Sequence, residues 1–334
     1  MIEFGTKAET LEKLLPHLRK SMVLPQVRFT VAEWKNQQEI CLEKLQNSLA
    51  KQGKKFIIRS SAVTEDGREK SNAGAYKTIG NVSSNDAGAI TNAIQMVIDS
   101  YGSELVLDNQ VFVQPYLENV AMSGVVFTRD IDNLAPYYII NYDDHCGSAD
   151  SVTSGRVSRL KTIVLFRGHP TKNNKIKRLL DAVKEIEQSL KCDYLDIEFA
   201  IGELGEVFLL QVRPIIRGKK ELPGPNETQD YLQKIYKKII KLNKKYPHVD
   251  GERTIFGVMP DWNPAEMIGT KPRTLALSLY KELITDRTWA YQRNNYGYKN
   301  MRSFPLLITF LGHPYIDVRT SFNSFIPGDL NEDI

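Results

Sequence analysis

Apolar and polar positions change their period several times along this chain, and each change marks an element. Residues 6–15 place Leu11, Leu14 and Leu15 on one side of a short helix that Pro16 interrupts. Lys55 to Ser60 (KFIIRS) is a β-rich run leading directly into polar residues. Residues 71–80 are rich in Gly, Ala and Ser and read as a loop opening a new segment. Ile90, Ala93, Ile94, Val97, Ile98 and Tyr101 then recur at helical spacing. Strands are predicted from Val111 (VFVQPY), Ser123 (SGVVFT), Tyr137 (YYIINY) and Thr162 (TIVLF). Ile176, Leu179, Leu180, Val183, Ile186 and Leu190 define another amphipathic helix. Two more strands, from Tyr194 (YLDIEFA) and Glu206 (EVFLLQVR), are separated by a segment containing Gly202 and Gly205, which predicts a hairpin that Pro214 closes.

Pro223, Gly224, Pro225 and Asn226 form a linker, with Asn226 placed to cap a helix that stops before Pro247. That helix carries Leu232, Ile235, Ile239 and Leu242 on an apolar face and Lys234, Lys237, Lys238, Lys241, Lys244 and Lys245 around it. A basic run can bind nucleic acid or anionic lipid. With this spacing the plainer reading is a helix whose lysines are solvated. The last eighty or so residues are aromatic-rich without clear periodicity, and internal repeats are absent from the sequence. Hairpins and helices in separate blocks predict a mixed α/β (α+β) fold, with a boundary near residues 216–226.

Composition adds bounds. With 334 residues, 42% hydrophobic and 25% charged, the chain has an ordinary globular composition and a length suited to two domains. A chain this size buries enough surface to need no disulfides. Cys41, Cys146 and Cys192 are far apart, odd in number and form no CxxC pair, which suits a reducing compartment. The first residues lack the apolar stretch of a secretory signal, and no apolar run approaches a membrane span. The expectation is a cytoplasmic protein of net charge +4.

Candidate chemistry concentrates on the predicted hairpin. Asp196 and Glu198 are two apart, so on a strand they share a face; Gln211 and Arg213 do the same on the partner strand. Burying such a set without partners is costly. Carboxylate and amide oxygens suit Mg²⁺, and a guanidinium suits phosphate. The competing structural reading is an ion pair of Glu198 with Arg213. Arg59-Ser60-Ser61-Ala62, followed by Glu65 and Asp66, places donors at a sheet edge, where phosphates are often held. The loop Ser71-Asn72-Ala73-Gly74-Ala75 offers small side chains and backbone N–H groups that can wrap phosphate, though it also reads as a simple turn. Lys7 can supply a point charge to the same phosphates. Walker A, GxGxxG and GxSxG sequences are absent, and His17, His145, His169, His248 and His313 have no zinc-site spacing.

In this order, these segments resemble the nucleotide-binding domain of phosphoenolpyruvate synthase, pyruvate phosphate dikinase and the rifampin phosphotransferases. Gly5 to Leu11 resembles that family's GGKGANL segment, one glycine short; Arg59 to Asp66 resembles RSSATAED; Ser71 to Val82 resembles SFAGQQETYLNV. Val113-Gln114-Pro115-Tyr116-Leu117 and Ser123 to Thr128 resemble VQxMV…AGVxFT, and Asp196 to Ala200 with Leu209 to Ile215 resembles DIEWA…LLQARPI. The resemblance covers roughly residues 3–216. It implies an ATP-grasp, two-lobed nucleotide-binding domain over residues 1–216, a linker and amphipathic helix over 217–249, and the start of a substrate-specific domain over 250–334.

The resemblance also implies roles. Lys7, Arg59 and Arg213 would hold the ATP phosphates and stabilise charge during transfer. Glu198 and Gln211 would bind Mg²⁺, and Asp196 would belong to the same nucleotide site. Gln114, Pro115, Tyr116 and Leu117 would line the adenine pocket, with backbone groups of Tyr116 and Leu117 reading the base edge. Gly74 and Thr78 would lie in and after the loop closing over the phosphates. The chain departs from the family pattern in two places. Ala75 and Tyr76 replace paired glutamines, and the GLGE element has lost its form near Cys146 to Ala149. Val152 to Gly155 still resembles the family's next residues after GLGE.

Such enzymes split ATP to AMP and orthophosphate through a phosphohistidine on a separate swivelling domain. No histidine here sits in that context, so the chain is expected to act with such a domain of the same or a longer chain. Phe256 to Glu266 resembles the synthase-like branch of capsule gene clusters that includes the L-glutamine kinase of phosphoramidate synthesis. The expected partners are ATP, Mg²⁺ and a small-molecule phosphoryl acceptor, glutamine favoured, with neither nucleic acid nor membrane. The alternatives are a pyruvate, water dikinase, an antibiotic phosphotransferase, or a non-catalytic ATP-binding module.

Overall fold

Thr6 sets the first helix. In the computed structural model, which describes residues 2–49, 52–63, 76–102, 105–144, 160–216, 225–258 and 262–330, its side chain accepts from the Glu9 N–H. Glu9 answers by accepting from the Thr6 N–H, a reciprocal cap that starts α1 (Lys7–Leu14) with Lys7 as its first residue. Leu11 and Leu14 are buried as the pattern predicts, but Leu15 lies past the helix in a 3₁₀ turn and is exposed. The chain continues through β1 (Met22–Val23), β2 (Val27–Thr30), α2 (Val31–Asn36) and α3 (Gln38–Leu49). Next come β3 (Lys55–Ser61), β4 (Thr78–Ser83), α4 (Ala87–Asp99) and β5 (Gln110–Pro115). β4 begins within the stretch that the sequence presents as a loop; Thr78 is exposed, Ile79 and Gly80 are half-buried and only Val82 is fully buried, so no regular alternation marks it.

β2, β5, β3 and β4 form a four-stranded antiparallel sheet in that order. One face packs on α2, α3 and α4 around Phe29, Trp34, Leu45, Phe56, Ile58 and Ile94. β5 is buried along its whole length because Val111 and Val113 enter this core while Phe112 enters the next one.

The second core lies under a six-stranded sheet. β6 (Val120–Phe127), β7 (Tyr137–Asp143), β8 (Lys161–Phe166), α5 (Asn174–Leu190), β9 (Leu195–Gly202) and β10 (Val207–Pro214) follow in sequence. The strand order is β1-β10-β9-β6-β7-β8, with β1 parallel to β10 and the other pairs antiparallel. Leu195, Ile197, Phe199 and Ile201 face α5, whose Ile176, Leu179, Val183, Ile186 and Leu190 are buried against them, together with Leu11 and Leu14 of α1. Period two on β9 thus turns Asp196 and Glu198 to the opposite face. Gly124 of β6 sits where a Cβ would collide with the Asn141 carbonyl and Tyr142 on β7. That close approach explains the glycine in the SGVVFT segment.

The chain divides into two compact units, Met1–Pro223 and Gly224–Ile334. The second contains α6 (Pro225–Leu242), β11 (Phe256–Gly257), α7 (Pro264–Met267), α8 (Thr274–Tyr280), a π-helical turn (Lys281–Thr285) and α9 (Thr288–Asn295). It ends with β12 (Leu307–Phe310), β13 (His313–Asp317) and α10 (Val318–Asn323), and its small sheet runs β11-β13-β12. Trp289, Met301, Leu306 and Ile316 are at its core. Two sequence readings change here. α6 starts at Pro225, one residue before Asn226. And α6 is not simply a connector: Arg319 donates to the carbonyls of Leu242 and Lys244 at its C-terminal end, tying it to this unit.

Candidate functional site

The β9–β10 hairpin brings Asp196, Glu198, Gln211 and Arg213 into facing positions. Gln211 lies opposite Glu198 and Arg213 opposite Asp196. The same rows continue across β6 and β7, adding Val125 and Asn141 beside Glu198 and Phe127 and Ile139 beside Asp196. No sequence motif singles out Asn141; only its place in the register marks it.

Between Leu209 and Gln211 the ladder skips a residue, a bulge at Leu210. The freed Leu210 carbonyl accepts from Arg59 Nη1 at 2.9 Å. Arg59 Nη2 donates to Glu198 Oε2, also at 2.9 Å, and the guanidinium stands over the Phe112 ring. Arg59 comes from β3, so it joins the four-stranded sheet to the six-stranded one. Both groups are nearly buried, with side-chain exposures of 10% and 15%.

Asp196 takes the other arginine. Arg213 Nε and Nη2 both donate to Asp196 Oδ2, at 2.8 and 2.6 Å. Burial raises the Asp196 pKa, while the Arg213 charge and hydrogen bonds oppose the shift and Lys7 adds a weaker opposing pull. Lys7, buried at the head of α1, is therefore within electrostatic reach of the hairpin face. The structural alternative expected from sequence, a Glu198–Arg213 pair, is not the one formed. Each acid pairs with a different arginine because Arg59, more than 130 residues away in sequence, reaches Glu198 first.

Lys7 is held in place by residues that no motif groups as a set. Ser61 Oγ accepts from the Ala8 N–H at 3.1 Å, and Thr6 Oγ1 donates to Gln110 Oε1 at 3.1 Å. Gln110 Nε2 in turn donates to Glu9 at 2.8 Å. The sequence offers Ser61 as a donor at a sheet edge; here it helps to cap a helix instead.

The other candidates sit along the seam between the sheets. Thr78 is exposed at the start of β4, paired with Arg59 across the strands. Gln114 and Pro115 are buried at the end of β5, and Tyr116 and Leu117 begin the crossover from β5 to β6, hence from one sheet to the other. Tyr116 N–H donates to the Lys55 carbonyl at 2.8 Å. Leu117 packs with Val120, Ala200 and Leu210, the bulge residue. Gln114 Nε2 is near the Leu24 carbonyl and Gln26 Oε1, both at 3.5 Å. Gly74, with the loop around it, Glu65 and Asp66, His145 and Cys146, and residues 147–155 all lie outside the described residues.

A second charged cluster occupies the opposite face of the six-stranded sheet. Arg167 pairs with Glu187, donates to the Thr128 carbonyl and lies over Tyr138. Burial, then the Glu187 charge, pushes the Tyr138 hydroxyl well above its usual range. These groups satisfy one another and line an open notch of about 460 Å³ with Lys184 and Lys191 at its rim.

The donor set on the hairpin face fits a divalent cation. Glu198 and Gln211, opposite each other across two strands, offer one carboxylate and one amide. Among the described residues there is no group of three His, Cys, Asp or Glu that would make a metal cage. Two hard oxygen donors without a cage suit Mg²⁺, which keeps water and substrate phosphate oxygens as its remaining ligands.

A family model matches part of the chain. Residues 30–166 match the family described as pyruvate phosphate dikinase, AMP/ATP-binding domain. That stretch contains Arg59, Thr78 and residues 114–117, whereas Lys7 and the hairpin acids lie outside it. With its two sheets and the seam between them, the first unit has a two-lobed mixed α/β architecture. Solved structures with some likeness include the VanG D-Ala:D-Ser ligase of Enterococcus faecalis, at 15% identity and a TM-score of 0.34, covering 64% of this chain and 57% of that one. Another is the D-alanine-D-alanine ligase of Helicobacter pylori, at 14% and 0.36, covering 68% and 56%. A third is the N5-carboxyaminoimidazole synthetase of Staphylococcus aureus complexed with ADP, at 14% and 0.33, covering 62% and 43%. Likeness at this level carries no inference about the chemistry of this chain, which spans little more than half the length of the first of them. No curated protein matches.

Among the described residues, no helix is long and apolar enough to cross a membrane.

Proposed function

We propose that this chain binds Mg²⁺-ATP between its two sheets and supplies the nucleotide-binding part of a dikinase-type phosphotransferase. The observation that carries the reading is the meeting of Arg59, Glu198, Gln211, Asp196 and Arg213 at the seam, with Lys7 in electrostatic reach. Two guanidinium groups and an ammonium gathered on this face suit a polyphosphate. Lys7, Arg59 and Arg213 hold the phosphates, and Glu198 and Gln211 hold the metal. Bound Mg²⁺ neutralises phosphate charge during transfer.

The base is placed at the crossover. Tyr116 N–H is already engaged by Lys55, so the base edge is read by the Leu117 N–H and carbonyl groups beside it, with Gln114 and Pro115 shaping the wall. Asp196 orients Arg213 through its two hydrogen bonds. Thr78 and Gly74 belong to the phosphate-loop side.

The pyrophosphoryl group then passes to a histidine on another domain, releasing AMP, and water removes its terminal phosphoryl group as orthophosphate to leave the phosphohistidine. L-glutamine is the favoured final acceptor, in capsule phosphoramidate synthesis, a reading that rests on the sequence of residues 256–266 alone. Calorimetric titration with Mg²⁺ and a non-hydrolysable ATP analogue tests the core of it. Binding should weaken at least tenfold in Arg213→Ala and in Glu198→Ala, with circular dichroism unchanged. A well-folded wild type that binds no nucleotide would sink the proposal. For the acceptor, a preparation that includes the phosphohistidine domain should form AMP faster with glutamine than with pyruvate or rifampicin; stimulation by either of the others overturns glutamine.

A further inference from the structure

Arg59 makes three contacts at the seam, and they differ in what they require. The Leu210 carbonyl and the Phe112 ring hold Nη1 and the guanidinium plane from outside the Glu198 and Gln211 donor pair. The third, from Nη2, uses a Glu198 oxygen, one of the two donors that fit a divalent cation. A nearly buried carboxylate needs a counter-charge at all times, because an unpaired charge removed from water is strongly disfavoured. Here that charge is Arg59, 2.9 Å away. A cation approaching Glu198 and Gln211 meets the guanidinium already in place.

We propose that Arg59 and the divalent cation take turns at Glu198: the arginine holds Glu198 Oε2 until metal and nucleotide arrive together, and then turns Nη2 to a nucleotide phosphate. The proposal rests on the Mg²⁺-nucleotide reading above. Its physical content is a coupling. Metal alone must displace Arg59 and leave it without an anion, which disfavours binding. Metal with nucleotide offers Arg59 a phosphate in exchange, so the penalty vanishes. The Leu210 bond keeps the guanidinium at the seam throughout, and only one arm changes partner. By linkage, nucleotide tightens metal binding by the factor by which metal tightens nucleotide binding. Arg59 is thus a device against occupancy by metal alone, beyond its role as a phosphate ligand.

Mn²⁺ titrated without nucleotide and followed by electron paramagnetic resonance reads this directly. Arg59→Met should bind free Mn²⁺ on the order of tenfold tighter than wild type, and adding Glu198→Gln should abolish the gain. Arg59→Lys, which keeps a charge beside Glu198, should show no such gain. In the unmutated protein, the Arg59 guanidinium resonances should shift when Mg²⁺ is added with the nucleotide analogue and hold nearly still with Mg²⁺ alone at the same concentration. That measurement stands even where Arg59→Met does not fold. Equal or weaker Mn²⁺ binding by folded Arg59→Met, or resonances unmoved by Mg²⁺ and analogue together, would overturn the exchange while leaving a nucleotide-binding wild type intact. Failure of wild type to bind the nucleotide at all would instead remove the reading beneath it.

Discussion

Arg59 and Arg213 differ in their attachments, and their substitutions should differ accordingly. Arg213 pairs with Asp196 on its own hairpin. Truncating it leaves Asp196 buried without its main counter-charge, so Arg213→Ala should lower stability by about 3 kcal/mol as well as weaken nucleotide binding. The double variant Arg213→Ala/Asp196→Asn should recover most of the stability and none of the affinity, as urea midpoints and calorimetry on the same samples would show. Recovery of both would mean that Arg213 is a structural residue only. Glu198, by contrast, has Arg59 and not its hairpin neighbour as partner. That pairing crosses between two sheets, and nothing in the local sequence around DIE could have indicated it.

At the scale of elements, α1 is the piece whose placement decides whether Lys7 reaches the site. Thr6→Ala removes both the cap and the bond to Gln110, and should cost about 1 kcal/mol in the urea midpoint. The cap also titrates. Burial works to raise the Glu9 pKa, but hydrogen bonds from Gln110 and the Thr6 N–H, and the Arg28 charge, outweigh it and hold the carboxyl below its ordinary value. A depressed native pKa gives stability that is present above the unfolded-state value, about 4.3, and is lost as pH falls through the native one. Wild type should therefore exceed Glu9→Gln in stability near neutrality, and the gap should close on acidification below that value; a gap that widens would show that Glu9 acts otherwise. Gly124 makes a different element-level demand. Gly124→Ala pushes a methyl into the β7 backbone, and the separation needed to accommodate it should cost about 1–3 kcal/mol, measured by thermal melts.

At the scale of the molecule, the first unit contains both sheets, both large cores and every described candidate residue of the site. Residues 1–223 expressed alone should therefore fold cooperatively and bind the Mg²⁺-nucleotide analogue within about threefold of the full chain. Binding that collapses on removal of residues 224–334 would show that those residues complete the nucleotide site. The second unit carries its own small sheet and core, and α6 belongs to it through Arg319. The lysines of α6 include Lys238, whose ammonium donates to the Thr309 carbonyl and lies over the Phe310 ring. That engagement favours a face that is solvated and packed over a nucleic-acid surface.

Much of the first unit could be read from the chain because its elements declare themselves locally. β9 alternates apolar and polar residues, α5 places its apolar residues three and four apart, and the GELGE turn joins two strands. These patterns put Asp196 and Glu198 on one face of their strand and Gln211 and Arg213 on one face of theirs, while the bulge at Leu210 sets which residue lies opposite which. β1 and β4 were not legible, since one is two residues long and the other shows no regular alternation. The last eighty residues hide their helices because short elements around a small core need no long periodic face. What only the tertiary structure decided is partnership. A pattern of period two says which way a side chain points, but not which distant charge waits there. The bulge at Leu210, the reach of Arg59 across two sheets and the diversion of Ser61 from phosphate to the Ala8 N–H all depend on burial, where each polar group must find whichever partner the packing brings within about 3 Å.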